Sequence, residues 1–270
     1  MMSSSLTLSE QEFSLIQKIV FDEAGISLDQ SKTSMVQNRL FKRMSFYSFT
    51  KFNDYIRVVQ FNRDERIEMI NQITTNETYF FREEIHFNFL SSIVKKYRSH
   101  EIFRAWSAAA SVGAEAYSIA MLLDRTLGHE AYQVVGTDIN TEVLKKARLG
   151  LYPESWVDKI SPEYRSKYCL KGKGQYARQF LVAPDIVRHV TFLEGNLLKV
   201  QNELGMFDII FLRNVLIYFN DATREIVVRN VIKNLKVGGY LILSLTESIK
   251  HLSIEELVQA DASIYQKVVA

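Results

Sequence analysis

The chain has 270 residues, 47% hydrophobic and 24% charged, with a formal net charge of +2 and a single cysteine, Cys169. That length supports one large or two modest domains with a real core, and the balance excludes a disordered chain. One cysteine excludes an internal disulfide framework and suits a reducing compartment. The five histidines, at 86, 100, 129, 189 and 251, lack metal-ligand spacing, so no metal is expected.

The opening segment MMSSSLTLSEQE has neither the basic flank nor the apolar stretch of a signal peptide, and no apolar run is long enough to span a bilayer. A cytoplasmic location is expected. Residues 6 to 98 read almost wholly as helices. Phe13, Ile16, Ile19 and Val20 recur at helical spacing, and Gly25 closes that helix. A second helix is expected from Ser31, its N-cap, to Met44, a third over 49–60 and a fourth over 63–73. Charge is uneven here: residues 1–30 carry one base against five acids, whereas residues 31–66 carry eight bases against three acids. Lys32, Arg39 and Arg43 share one side of the second helix, a pattern that fits either a solvated face or a surface for an anionic partner. No Pro- or Gly-rich linker follows, so the helical unit is expected to pack firmly on the rest.

The junction ITTNETYFFREEIHF, residues 73–87, crowds Thr74, Thr75, Asn76 and Thr78 beside aromatics and Arg82. It suits a ligand pocket with directed hydrogen bonds, and equally a capping box followed by core phenylalanines. From Glu101 the pattern becomes alternating strands and helices, the mark of a mostly parallel sheet. Strands are expected near 102–109, 132–138, 190–195, 207–213, 238–246 and 263–269. The stretch RAWSAAASVGAEAYSIAML, 104–122, reads as strand, tight loop and helix, with Ala108 to Ser111 and Gly113 small enough for a ligand to lie against the backbone. Alone, that turn is also what close packing in any α/β protein looks like. Neither common phosphate signature is present, so a phosphate-free ligand fits better. QVVGTDI, 133–139, then ends in Asp138, at the spacing of an acid that binds a ribose hydroxyl pair, although Asp138 could also cap the next helix. Asn196 follows the next strand, and Arg213 with Asn214 the one after. In open α/β sheets ligands sit outside the carboxyl ends of strands, so these positions are expected to share one crevice. Between Tyr152 and Arg188 the rhythm breaks, suggesting an inserted hairpin or small subdomain.

Taken together, the segments GISLDQSKTSMVQNRLFKR, TTNETYFFRE, RAWSAAASVGAEAYSIAM, GTDINTEVLKKARLGLY, GNLL, FDIIFLRNVLIYF and GGYLILSLTES resemble the chemotaxis receptor methyltransferases of the CheR type. TTNETYFFRE and RNVLIYF are the most specific. Departures are mild: Ala114 and Ala116 stand where the family usually has an acid and a proline, and Leu212 where it often has a cysteine.

The resemblance implies an α/β fold, a doubly wound mostly parallel sheet of the class I S-adenosylmethionine-dependent methyltransferase type. It further implies an N-terminal helical domain (1–75), a connecting segment that contributes to the site (76–98) and a cofactor-binding domain (99–270) with a small β subdomain inserted near 165–187. Carried over by motif, Asn76, Thr78 and Arg82 lie at S-adenosylmethionine, Glu115 takes its amino group, Asp138 its ribose, Asn196 and Leu197 surround the adenine, and Arg213 and Asn214 close the site. Arg82 and Tyr218 would orient the incoming carboxylate. The implied reaction methylates a glutamate side chain on a chemoreceptor's cytoplasmic helical bundle, giving a γ-methyl ester and S-adenosylhomocysteine. That glutamate is already ionised near neutral pH, which explains the lack of any need for a general base or metal. Lys32, Arg39, Lys42 and Arg43 become candidates for the acidic receptor face. Arg178 stands where family members that tether a receptor peptide would have a glycine, which argues against tethering. A monomer is expected. The rival readings are an S-adenosylmethionine-binding signalling adaptor with weak catalysis and a nucleic-acid methyltransferase. The latter is disfavoured because the basic positions are not interleaved with stacking aromatics.

Overall fold

The computed structural model describes residues 7–97 and 101–269; the start of the opening segment and His100 lie outside the described residues. Four helices come first: α1 (Glu10–Ala24), α2 (Thr33–Phe46), α3 (Phe52–Phe61) and α4 (Arg63–Ile73). Ser9 and Glu12 form a reciprocal capping box on α1, and Gly25 ends it at φ 70°. A Cβ on Gly25 would fall 2.8 Å from Leu198, so the glycine also allows close approach to the second half of the chain. The start of the second helix differs from expectation. Asp29, not Ser31, is the cap: it accepts from the Ser31 N–H at 2.8 Å and starts a 3-10 turn, Gln30–Lys32, ahead of α2. Phe13, Ile16, Val36, Leu40, Tyr55 and Ile70 share the core of this helical unit.

After α5 (Glu84–Val94) the chain alternates as expected through β1 (Phe103–Ala108), α6 (Ala114–Leu127), β2 (Tyr132–Asp138) and α7 (Thr141–Leu149). Then come β3 (Leu151–Pro153), α8 (Pro162–Tyr168), β4 (Cys169–Lys171), β5 (Gln179–Val182) and α9 (Pro184–Val187). The remainder is β6 (Val190–Glu194), β7 (Phe207–Phe211), α10 (Asp221–Ile232), β8 (Leu235–Ile242), β9 (Leu257–Asp261) and β10 (Ile264–Lys267). One sheet has the order β6-β2-β1-β7-β8-β10-β9. Its first five strands are parallel, and β10 runs antiparallel between β8 and β9. Separate apolar layers cover its two faces: Leu90, Tyr117 and Leu123 belong to one, Val227, Val231 and Leu235 to the other. β9 was not expected from the sequence. As an exposed edge strand it needs no apolar face, so LVQAD carries no alternation to read.

The small antiparallel sheet, β3-β5-β4, draws its first strand from 151–153, ahead of the range expected for the insertion. Three residues are too few to show a period. Phe80 of the junction plugs into this unit, its ring 4.9 Å from Tyr152 and 5.6 Å from Phe180 between centroids. Arg178, just before β5, adopts φ 68°, a conformation that favours glycine. Arg178→Gly is therefore expected to raise stability by up to about 1 kcal/mol, read as a small rise in melting temperature.

The helical unit is bolted to the sheet by polar contacts. Ser27 donates its N–H to the Tyr218 carbonyl at 2.8 Å. Asn71 exchanges two 3.0 Å hydrogen bonds with Thr141, and the Asn140 amide donates to Thr74 Oγ1 at 2.7 Å.

Candidate active site

The strand order reverses between β1 and β7, and the loops leaving β1, β2, β6 and β7 converge there on a cavity of about 740 Å³. Asn76, Thr78, Arg82, Glu115, Asp138, Asn196, Leu197, Arg213, Asn214 and Tyr218 all line it. Residues from five separate stretches of chain are thus brought to one place.

The loop after β1 is strained by design of its contacts. Ala109 and Ser111 have φ of 73° and 51°, conformations that cost about 1–2 kcal/mol each for residues other than glycine. They are held by the neighbouring strand: Ala109 and Ala110 both donate to the Thr137 carbonyl, and the Ser111 N–H donates to Asp138 at 2.8 Å. Gly113, at φ 88°, then starts α6. A Cβ there would meet the Phe192 ring at 2.7 Å. Asp138 also takes the Asn140 N–H at 2.8 Å. Burial pushes the Asp138 carboxyl upward, against the opposing pull of these backbone donors. A carboxylate has about four acceptor positions, so two of these bonds leave capacity for a pair of ligand hydroxyls.

At the other end of the cavity Glu115, in the first turn of α6, accepts from Ser107 Oγ at 2.7 Å and pairs with Arg213 Nη1 at 2.9 Å. Arg213 Nη2 donates to the Arg82 carbonyl at 2.6 Å and lies 3.3 Å from Glu83. Its Nε is buried without a hydrogen-bond partner. Asn214, at φ 58°, is held by Glu247, which accepts from the Asn214, Leu216 and Ser244 N–H groups at 2.8–3.0 Å. Burial pushes the Glu247 carboxyl up, and those backbone donors oppose it. His86 beneath them is fully buried, and burial lowers it to about 4, so it is neutral at physiological pH. Arg82 donates Nη1 to the Glu77 carbonyl at 2.9 Å and has no carboxylate partner among the described residues.

Two groups of these side chains are engaged inside the protein. The Asn196 amide is occupied structurally, donating to the Glu23 carbonyl at 2.8 Å and accepting from the Leu198 N–H at 3.0 Å, so it bridges the two units rather than presenting a free side chain. The basic face of α2 is also divided. Arg39 lines the cavity and bonds to Ile73, Thr74 and Thr75; Arg43 forks onto the nearly buried Glu65, with Nε at 2.8 Å. Both turn inward because an arginine fork gains more from fixed acceptors than from water. Only Lys32 and Lys42 of the four remain exposed. The sequence reading missed Ile26, Ser27, Leu28 and Met35, which roof the cavity from the helical unit, and the supporting acids Glu83 and Glu247. GISLD lies within the motifs that carry the resemblance, but nothing local in it points towards a cavity formed almost 200 residues away.

The donor set fits S-adenosylmethionine. A buried acid suits ribose hydroxyls, a second acid suits an ammonium, Arg213 with its spare Nε suits a carboxylate, and apolar Leu28, Met35 and Leu197 suit an adenine ring. Among the described residues no group of three His, Cys, Asp or Glu side chains is placed to hold a metal ion, and no helix is long and apolar enough to cross a membrane.

Strand order and site together define a class I S-adenosylmethionine-dependent methyltransferase. Residues 76–264 match the family model described as the CheR methyltransferase, SAM binding domain, and residues 11–74 match the CheR methyltransferase, all-alpha domain. The chain is 39% identical over 256 residues to the chemotaxis protein methyltransferase of Escherichia coli K12, covering 93% of this chain and 89% of that one. To the Borreliella burgdorferi chemotaxis protein methyltransferase it is 32% identical over 260 residues, covering 91% of each. The chain belongs to the CheR methyltransferase family.

Proposed function

We propose that this enzyme methylates glutamate side-chain carboxylates on the cytoplasmic helices of chemoreceptors, for adaptation in chemotaxis. The observation that carries the reading is Arg82. Its guanidinium lines the same cavity as Tyr218, hydrogen-bonds only the Glu77 carbonyl and pairs with no carboxylate among the described residues. Such a group suits an incoming anion. Bound S-adenosylmethionine supplies a methyl group on a sulfonium; transfer to a carboxylate oxygen leaves a methyl ester and S-adenosylhomocysteine.

The residues have the following roles in this reading. Asp138 holds the ribose, Glu115 and Arg213 the methionine end, and Asn76 and Thr78 the region between. Arg82 and Tyr218 aim one carboxylate oxygen along the transfer line. Opposite charges disappear as the methyl moves, so strong stabilisation of the separated charges would favour the ground state. Alignment is what the site contributes. The partner is a receptor helical bundle approached from the side of Lys32 and the helical unit.

The test is to incubate the enzyme with labelled S-adenosylmethionine and either a receptor cytoplasmic fragment or RNA, then treat with base. Volatile label from the receptor fragment is expected, since esters hydrolyse and methylated bases do not. Label on RNA, or cofactor binding without transfer to either, would overturn the reading. Asp138→Ala is expected to weaken S-adenosylmethionine binding by roughly 10- to 100-fold, as hydrogen bonds to a charged group are worth about 1.5–3 kcal/mol; calorimetry measures it.

A further inference from the structure

Lys159 ends the 3-10 turn Glu154–Lys159 of the inserted unit, 77 residues from Arg82. The fold brings the two cations to one ring. Lys159 Nζ lies 5.4 Å from the centroid of Tyr79, and the Arg82 guanidinium carbon 5.7 Å from the same centroid. The arrangement is rigid from both sides. Phe80, next to Tyr79, packs against Tyr152 and Trp156 of the inserted unit, Phe81 against Tyr164, and Ile160, next to Lys159, is buried.

Two like charges gathered on one ring would ordinarily be balanced by an acid. Among the described residues, neither Lys159 nor Arg82 has a carboxylate within ion-pair distance. Asp158, next in the chain, is exposed and makes no ion pair with Lys159; Glu77 offers Arg82 its carbonyl, not its carboxylate. An aromatic face gives back about 0.5–1 kcal/mol per exposed cation, which leaves a positive potential beside the cavity mouth. One guanidinium is enough to orient one carboxylate. The second cation has no role in that task.

We propose that Lys159 binds a second carboxylate on the acceptor protein, next to the one that Arg82 presents for methylation, so that the enzyme selects glutamates in an acidic neighbourhood. This rests on the proposed function and deepens it. The inserted unit then reads the substrate directly, using a cation held at fixed distance from the reacting group. The absence of an internal acid partner keeps the site open to an external one.

The experiment uses the full chain, a receptor cytoplasmic fragment, and the same fragment with the acids flanking its methyl-accepting glutamate changed to glutamine. Lys159→Ala is expected to raise KM for the parent fragment about three- to fivefold, the range of one exposed ion pair, and Lys159→Glu by more; Lys159→Arg should restore it. S-adenosylmethionine affinity, measured by calorimetry, should not move. On the neutralised fragment the Lys159→Ala penalty should vanish. Unchanged KM in both Lys159 variants, or an equal penalty on the neutralised fragment, would overturn the inference while leaving the proposed function standing. Failure of the wild-type enzyme to methylate any receptor fragment would overturn both.

Discussion

Arg82→Ala is expected to lower kcat/KM for methyl transfer by about 100-fold or more while S-adenosylmethionine still binds within a fewfold of wild type. The size follows from what Arg82 does in the proposed mechanism. An ionised carboxylate needs no activation, so the barrier depends on how well its oxygen is aligned with the donor methyl. A misplacement of about 1 Å can cost about 100-fold. Cofactor binding survives because Arg213 and Glu115 hold each other, and the Ser111 and Asn140 N–H groups hold Asp138, without the Arg82 side chain; Arg82 gives Arg213 only its carbonyl. Arg82→Lys keeps the charge but loses the planar fork, and should recover only part of the loss. Rates from labelled cofactor at saturating receptor fragment, with calorimetric Kd values alongside, make the measurement. Near wild-type turnover in Arg82→Ala would remove the residue from its role.

The second large effect is on stability. Glu65→Ala is expected to destabilise the helical unit by about 3–5 kcal/mol, a large share of a typical domain's total. Glu65 is almost wholly buried and accepts from Arg43, from Tyr47 Oη at 2.9 Å and from Tyr55 Oη at 2.9 Å. Its removal leaves a cation and two hydroxyls without partners. Burial pushes the Glu65 carboxyl up, but the bonds from Arg43, Tyr55 and Tyr47 more than reverse this and hold it below the usual carboxylate range. A folded value below the unfolded one means that the stabilisation is complete above the unfolded pKa and is lost as pH falls through the folded value. Thermal unfolding followed by circular dichroism should show the loss at neutral pH, and a shallower acid dependence in Glu65→Ala than in wild type. Glu65→Gln, which keeps acceptors for the tyrosines, should be milder. An unchanged melting temperature in Glu65→Ala would contradict the role given to this cluster. The same contacts mean that charge reversal at Arg43 tests folding before it tests receptor docking, so Lys32 and Lys42 are the positions for the latter.

What is legible in the sequence of this protein falls off with distance along the chain. The helical start, the parallel sheet and the strand-end positions of Asp138, Asn196 and Arg213 were legible, because period and small-residue turns are local properties and the strand-end rule then maps them to one crevice. The TTNETYFFRE and RNVLIYF motifs named the family for the same reason. Side-chain commitments were not legible. Arg39, Arg43 and Asn196 have the residue types of free functional groups, and each is consumed by an acceptor at least 22 residues away. Lys159 carries no local signal in the sequence, and only the packing of Phe80 into the inserted unit brings it to Tyr79. Sequence alone determined the main helices and parallel strands and what chemistry they can carry, since these depend on neighbours a few residues apart, whereas the short strand β3 and the exposed edge strand β9 left no period to read. Tertiary structure decided which charges are spent inside the protein and which remain for a partner, since an ion pair is set by distance in space.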